Sequence, residues 1–236
     1  MHAYCINLER RPDRRAEAES EFDREGLSVE FFHATDGKLY APDGIRISKP
    51  EWGCADSHIR VWRDIVRNGH PYALVFEDDV QLLPNFSLKL KTILEELESL
   101  PTEWDYVNLG NIQWDIKYEQ VTPSLFHGAS WGAHAYIISN KCATHMAMWD
   151  AKDLKYGIDL QIARSPIYML SVNDPIANQS SYPGGGVSLL TSVEKGDIGF
   201  QRTADWDFLI RHFIQNIDMV VLFVILLCLL IVWRRN

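Results

Sequence analysis

The stretch Tyr72–Pro84, Tyr-Ala-Leu-Val-Phe-Glu-Asp-Asp-Val-Gln-Leu-Leu-Pro, restricts the fold more than any other. Its apolar run Ala73–Phe76 reads as a strand buried on both faces. The run stops at three acids, Glu77, Asp78 and Asp79. Carboxylates placed directly after such a strand lie at the carboxyl edge of a sheet, where open α/β proteins bind ligands. In an extended chain Glu77 and Asp79 share one side and Asp78 takes the other. Three adjacent anions need a cation or a donor network to offset their repulsion. Hard oxygen ligands of this kind suit Mg²⁺ or Mn²⁺, ions that bridge phosphates. A solvated acidic turn is the alternative.

Strands and helices alternate around this stretch. Ala3–Leu8 reads as a first strand, then a polar bend at Glu9–Pro12, then a helix Arg14–Glu25 with Asp13 as N-cap and Gly26 as its stop. Val29–His33 reads as a second strand and Lys38–Glu51 as an irregular excursion. A helix from about Ser57 to Arg67 precedes the acidic strand, and Asn85–Leu100 forms another. Tyr106–Leu109, Ala133–Ser139 and Ile167–Val172 read as strands, Lys141–Trp149 and Ile158–Ala163 as helices, and Gly110–Phe126 as loop. Asn173–Asp207 is rich in Gly, Ser and Pro and reads as a lid or linker. This order predicts an α/β fold, a single Rossmann-type domain with a mostly parallel central sheet.

The 236 residues allow one substantial core, and a net charge of −9 argues against nucleic acid as a partner. Four scattered cysteines, Cys5, Cys54, Cys142 and Cys228, show no CxxC pair and no zinc spacing, and read as buried thiols. No secretory signal opens the chain. At the other end, Met219–Trp233 carries no charge. As a helix it would span roughly 22 Å at about 1.5 Å per residue, and snorkelling by Arg234 and Arg235 would help it cross a hydrocarbon layer of roughly 30 Å. The expected organisation is a domain over 1–190, a linker over 191–217 and a C-terminal transmembrane helix over 218–233. That makes the protein single-pass, with the membrane as a partner and the domain on the cytosolic side, although Arg234 and Arg235 oppose that orientation.

The first strand delivers Asn7, Glu9, Arg10 and Arg11 to the same kind of edge as the acids. Arginine beside a metal-binding cluster fits a nucleoside diphosphate, with guanidinium forks on its oxygens. Gly53-Cys54-Ala55-Asp56-Ser57-His58 opens a helix in this reading. Either Asp56 or Ser57 caps it, or its free N–H groups and the Ser and His side chains meet the nucleotide.

Taken in order, these blocks resemble glycosyltransferase family 25, which holds lipopolysaccharide and procollagen galactosyltransferases. Ile6-Asn7-Leu8-Glu9-Arg10-Arg11-Pro12-Asp13-Arg14 is similar to the family's opening motif, and Ala34-Thr35-Asp36-Gly37 to its second block. Gly53-Cys54 with Ser57-His58 and Trp62 resembles its Gly-Cys-x-x-Ser-His block, and Ala73–Val80 its acidic motif. Trp131-Gly132 to Ser139, Asp159, and Gln179 with Ser181–Ser188 resemble later family features. The likeness covers about residues 3 to 188.

What the resemblance implies is a GT-A-like fold and inverting transfer of a hexose, commonly galactose, from a UDP-sugar with Mn²⁺ (or Mg²⁺). The acceptor would be a glycan, a lipid-linked species or a protein. By that likeness Asp79, helped by Glu77, ligates the metal. Asn7, Leu8, Arg10, Arg11, Ser57, His58, Glu77, Asp78 and Gln179 lie near the nucleotide sugar. Inversion by single displacement needs a base outside the metal cluster. Asp159 is the candidate, with a helix N-cap as its other role, and His134 is an alternative base or third metal ligand. Two further readings stand beside this one: a metal-dependent phosphohydrolase, and a catalytically silent module that binds sugar or nucleotide.

Overall fold

The strands β1 (His2–Asn7), β3 (Tyr72–Glu77), β5 (Tyr106–Asn108) and β8 (Ala135–Ser139) are buried at nearly every position. They form the centre of an eight-stranded sheet in a computed structural model that describes residues 1–110 and 116–179. The remaining strands are β2 (Glu30–His33), β4 (Val80–Leu82), β6 (Ile116–Gln120), β7 (Leu125–Ala129), β9 (Met169–Val172) and β10 (Ala177–Gln179). The helices are α1 (Pro12–Glu25), α2 (Gly37–Tyr40), α3 (Lys49–Arg67), α4 (Phe86–Glu98), α5 (Asn140–Met146) and α6 (Ile158–Ala163). All of these belong to one unit, Met1–Gly199; a second unit, Phe200–Asn236, lies outside the described residues.

The apolar runs are continuous because helices cover both faces of the sheet. Alternate residues separate cleanly. Ala3, Cys5, Leu74, Phe76, Ala135 and Ile137 pack with Phe22 of α1 and with Phe86, Leu90, Ile93 and Leu97 of α4. Their neighbours Tyr4, Ile6, Ala73, Val75, Tyr136 and Ile138 pack with Trp52, Ile59, Trp62 and Ile65 of α3, Met146 of α5 and Ile162 of α6. Each fully buried large apolar side chain in such a layer contributes roughly 1.5–3 kcal/mol.

The strand order is β2-β1-β3-β8-β5-β9-β7-β6. The β1–β2, β1–β3 and β5–β9 pairs are parallel; β3–β8, β5–β8, β7–β9 and β6–β7 are antiparallel. The sheet is therefore mixed, not mostly parallel as expected. The physical reason is β8, which runs backwards between β3 and β5, together with β7, which runs backwards between β9 and β6. A strand buried on both faces has the same apolar run in either direction, so its polarity leaves no mark in composition. β1, β3, β5 and β9 still point one way, and Asn7, Glu77 and Asn108 end at one edge.

Two local differences matter for the site. α3 begins at Lys49, eight residues before the expected start. Ser48 caps it, accepting from Glu51 N–H while the Glu51 carboxylate accepts from Ser48 N–H, and Pro50 sits in the first turn. The stretch Gly110–Phe126, read as loop, contributes β6 and the start of β7. Beside the large sheet, β4 and β10 form a small antiparallel pair that places Gln179 opposite Val80.

The expected membrane anchor is withdrawn. Among the described residues no helix is long and apolar enough to cross a membrane. The segments 191–217 and 218–233, and the Ser181–Ser188 block, lie outside those residues. The membrane partner, the single-pass location and the cytosolic placement that followed from the anchor go with it.

Candidate functional site

The carboxyl end of β3 meets the carboxyl end of β1, with Ile6 in register with Glu77. The Glu77 N–H donates to the His134 carbonyl at 3.0 Å, tying the start of β8 to the same edge. A cleft opens there, lined by Leu8, Arg10, Arg14, Asp36, Cys54, Ser57, His58, Glu77 and Asp78 among others.

The three acids have three different environments. Asp78 is held from both sides: Asn7 Nδ2 donates to Oδ2 at 2.8 Å and Arg14 Nη1 to Oδ1 at 3.1 Å. Glu77 accepts from or shares a proton with His58 Nε2 at 3.2 Å. Burial pushes the Glu77 carboxyl up, but the bond to His58 and the charges of His58, His134 and Arg14 outweigh it, so the group sits below its ordinary range. Asp79 is 1% exposed, and neither of its oxygens has a hydrogen-bond partner among the described residues. Arg14 approaches only to 3.8 Å. Burial, then the Glu77 charge, raise the Asp79 carboxyl from 3.8 to about 8, and Arg14 offsets only part of this. A buried carboxylate without donors costs several kcal/mol unless protonated or met by a cation. A cation or a proton would meet that need; Asp79 itself lies behind the cleft wall and is not among its lining residues.

Ser57 and His58 line the cleft, but not at a helix start. They lie in the middle of α3, so their N–H groups serve the helix, and the reading of free amides at this position is corrected. Ser57 Oγ donates to the Gly53 carbonyl at 2.6 Å and accepts from Thr35 N–H at 2.8 Å, clamping α3 to the turn after β2. Gly53 belongs to the same clamp, since a Cβ there would stand 2.5 Å from Gly37 N and 2.6 Å from Thr35 O. His58 is fully buried, with Nδ1 2.9 Å from Tyr136 Oη, which also accepts from Trp62 Nε1 at 2.9 Å.

The remaining expected residues fall in distinct places. Arg10 reaches across the cleft to Asp36 at 2.5 Å, while Arg11 pairs with Asp13 and lies outside the lining. Asn7 stands behind Asp78 and does not line the cleft. His134 is buried over Gly110, where a Cβ would collide with its ring; its Nε2 lies 3.5 Å from Ala177 O and its Nδ1 has no partner among the described residues. Burial holds its ring below the ordinary histidine value. Asp159 is not the N-cap of α6; Gly157 is, and Asp159 Oδ1 accepts from Leu160 N–H at 2.7 Å. Burial raises the Asp159 carboxyl, Leu160 N–H opposes this, and the nearby charges of Glu77 and Glu51 add to it. Gln179 ends β10, beside the turn that carries Asp79.

Two contributors stood inside the quoted motifs but were given no role of their own in the sequence reading. Arg14, quoted in the opening motif but placed on a surface helix, pairs with Asp78 at 3.1 Å and approaches Asp79 to 3.8 Å; its place in the first turn after Pro12 was the available signal. Cys54 comes together with His58 and Glu77, their donor atoms all within 4.8 Å of one another. Its signal was the Cys-x-x-x-His spacing, hidden by starting the helix too late.

The profile described as Glycosyltransferase family 25 (LPS biosynthesis protein) matches residues 1–161. A Bos taurus protein named probable inactive glycosyltransferase 25 family member 3 is 30% identical over 158 residues, covering 58% of this chain and 27% of its own length. A glycosyltransferase 25 family member from Aedes aegypti is 33% identical over 163 residues, 58% of this chain and 26% of that protein. Procollagen galactosyltransferase 1 of Danio rerio is 26% identical over 159 residues, again 58% of this chain and 26% of that protein. The matches thus span about a quarter of the length of these relatives.

Proposed function

This chain belongs to glycosyltransferase family 25, and on that premise we propose that it moves a hexose from a UDP-sugar to a glycan, lipid-linked or protein acceptor. Transfer inverts the anomeric carbon and depends on Mn²⁺ or Mg²⁺. Galactose is the favoured sugar, in keeping with the name of the zebrafish relative. The observation that carries the reading is Asp79, a buried carboxylate whose oxygens have no hydrogen-bond partner among the described residues, two positions from Glu77 at the edge of the parallel strands.

In this reading Asp79 and Glu77 hold the ion, which when bound would neutralise the charge of the departing diphosphate. Asn7 and Arg14 fix Asp78 so that the acidic turn keeps one shape. Leu8, Arg10, Ser57, His58, Glu77 and Asp78 form the wall against which the nucleotide lies, with Arg11 and Gln179 at its margins. Asp159 takes the proton of the acceptor hydroxyl as its oxygen attacks the anomeric carbon opposite the diphosphate. Its raised carboxyl brings its basicity closer to working pH than an exposed aspartate's. His134, sealed against Gly110 and close enough to Glu77 for its charge to act there, is better suited to the ion than to an acceptor.

The test is UDP-galactose hydrolysis and transfer with Mn²⁺, comparing the natural chain with Asp79→Ala. Loss of a metal ligand removes several kcal/mol of charge stabilisation, so turnover should fall roughly 100-fold or more. Equal turnover in both rejects the role of Asp79. The name of the Bos taurus relative favours a second reading, a domain that binds nucleotide sugar without turning it over. Metal-dependent UDP binding with no turnover of any nucleotide sugar would select it.

A further inference from the structure

We propose that Cys54, His58 and Glu77 form a binding site for Zn²⁺, separate in donor chemistry from the Glu77–Asp79 carboxylate pair. The long form of α3 makes it possible. With the helix running from Lys49, Cys54 and His58 lie four residues apart and present their side chains on one face. Glu77, the last residue of β3, meets that face. His58 Nε2 is 3.2 Å from Glu77 Oε1, Cys54 Sγ is 4.0 Å from the same oxygen, and all three donor atoms lie within 4.8 Å. A tetrahedral ion with Zn–S near 2.3 Å and Zn–N and Zn–O near 2.0–2.2 Å needs donor separations of roughly 3.3–3.6 Å. Small side-chain rotations close the difference.

The donor types choose the ion. Sulfur with imidazole nitrogen selects Zn²⁺ over Mn²⁺ or Mg²⁺, which prefer all-oxygen sets such as Glu77 with Asp79. An outer layer is present as well. His58 Nδ1 faces Tyr136 Oη, and that oxygen is fixed by Trp62 Nε1, both at 2.9 Å in a fully buried setting. Ligating histidines are characteristically anchored through the other ring nitrogen. On binding, the ring proton resides on Nδ1 and is donated to Tyr136 Oη, and the Cys54 thiol releases its proton to solvent. All three ligands line the same cleft. The ion therefore has an entry path, and its fourth position opens into the cleft.

Glu77 belongs to both donor sets, so Zn²⁺ at Cys54 and His58 withdraws it from the carboxylate pair. Zinc should then oppose Mn²⁺-supported UDP binding; this consequence alone rests on the proposed function.

The experiment is titration of the full, chelator-stripped chain with Co²⁺ as a spectroscopic stand-in, followed by displacement with Zn²⁺. The expected result is one equivalent bound, with a thiolate-to-cobalt absorption band that zinc abolishes. In Cys54→Ala and Cys54→Ser, both checked for native circular dichroism, the band should vanish. Zinc affinity should fall by more than the roughly 10–100-fold that losing an outer-layer partner costs. The same band and affinity in both variants, or no saturable binding by the natural chain, would overturn the proposal. UDP binding with Mn²⁺ is read separately. If it is absent while the cobalt band stands, the donor-binding reading fails alone; if it is present and the band is missing, the zinc site fails alone.

Discussion

Replacing Asp79 by asparagine should make the protein less sensitive to alkali, and the structure sets the size of the effect. Burial and the Glu77 charge raise the Asp79 carboxyl from 3.8 to about 8 in the folded chain. The folded state therefore holds this proton more tightly than the unfolded state does. Its contribution is fully present below about pH 4 and is lost as pH rises toward 8, at about 1.4 kcal/mol per pH unit. That amounts to about 4 kcal/mol by pH 7 and about 6 kcal/mol above pH 8, as upper figures for a buried group with charged neighbours. Asp79→Asn carries no such slope at this position, and the same steric volume remains. Urea unfolding from pH 5 to 8.5 with chelator present measures the difference. The natural chain should lose ground steadily against the variant, and Mn²⁺ should flatten its curve, since a bound ion keeps the carboxylate deprotonated. Parallel curves for the two proteins would refute the burial argument for Asp79.

Two further substitutions probe how the site is held. Gly53→Ala forces a Cβ against the backbone at Gly37 and Thr35, where neither neighbour can rotate away. It should cost about 3 kcal/mol or more in denaturant melts, and a wild-type midpoint would contradict the close crossing of α3 over the turn. Ser48→Ala removes half of the capping box at the start of α3. It should cost about 1 kcal/mol, seen as a fall of about 2–4 °C in the melting temperature; an unchanged melt would argue against the early helix start.

The sheet edge was legible because its physics is local. An unbroken apolar run ending in charge can be satisfied only by a buried strand that surfaces at its end, and Ala73–Glu77 does this. The segregation of Tyr4 and Ile6 from Ala3 and Cys5 onto opposite faces follows from the same period of two. The start of α3 was also written in the chain, as Ser48-Lys49-Pro50-Glu51. It was overridden by Asp56 and Ser57, which look like caps but bond to Thr35 and to the helix itself. That one displacement concealed the meeting of Cys54 with His58. The direction of β8 had no local signal, because long-range pairing decides it. The short strands β4 and β10 owe their existence to each other, and neither is marked by composition. Asp159 was read as the candidate base with a helix cap as its other role; the cap role goes to Gly157, and the carboxylate turns back on Leu160 N–H.

The measurement that bears most directly on a metal-held nucleotide donor is calorimetric titration of UDP into the natural chain and Asp79→Ala, each with Mn²⁺ and with chelator. UDP should bind the natural chain at least about tenfold more tightly with Mn²⁺, a difference of about 1.4 kcal/mol, and Asp79→Ala should abolish that difference. UDP binding that ignores the metal, or sugar binding that needs no nucleotide, would contradict it.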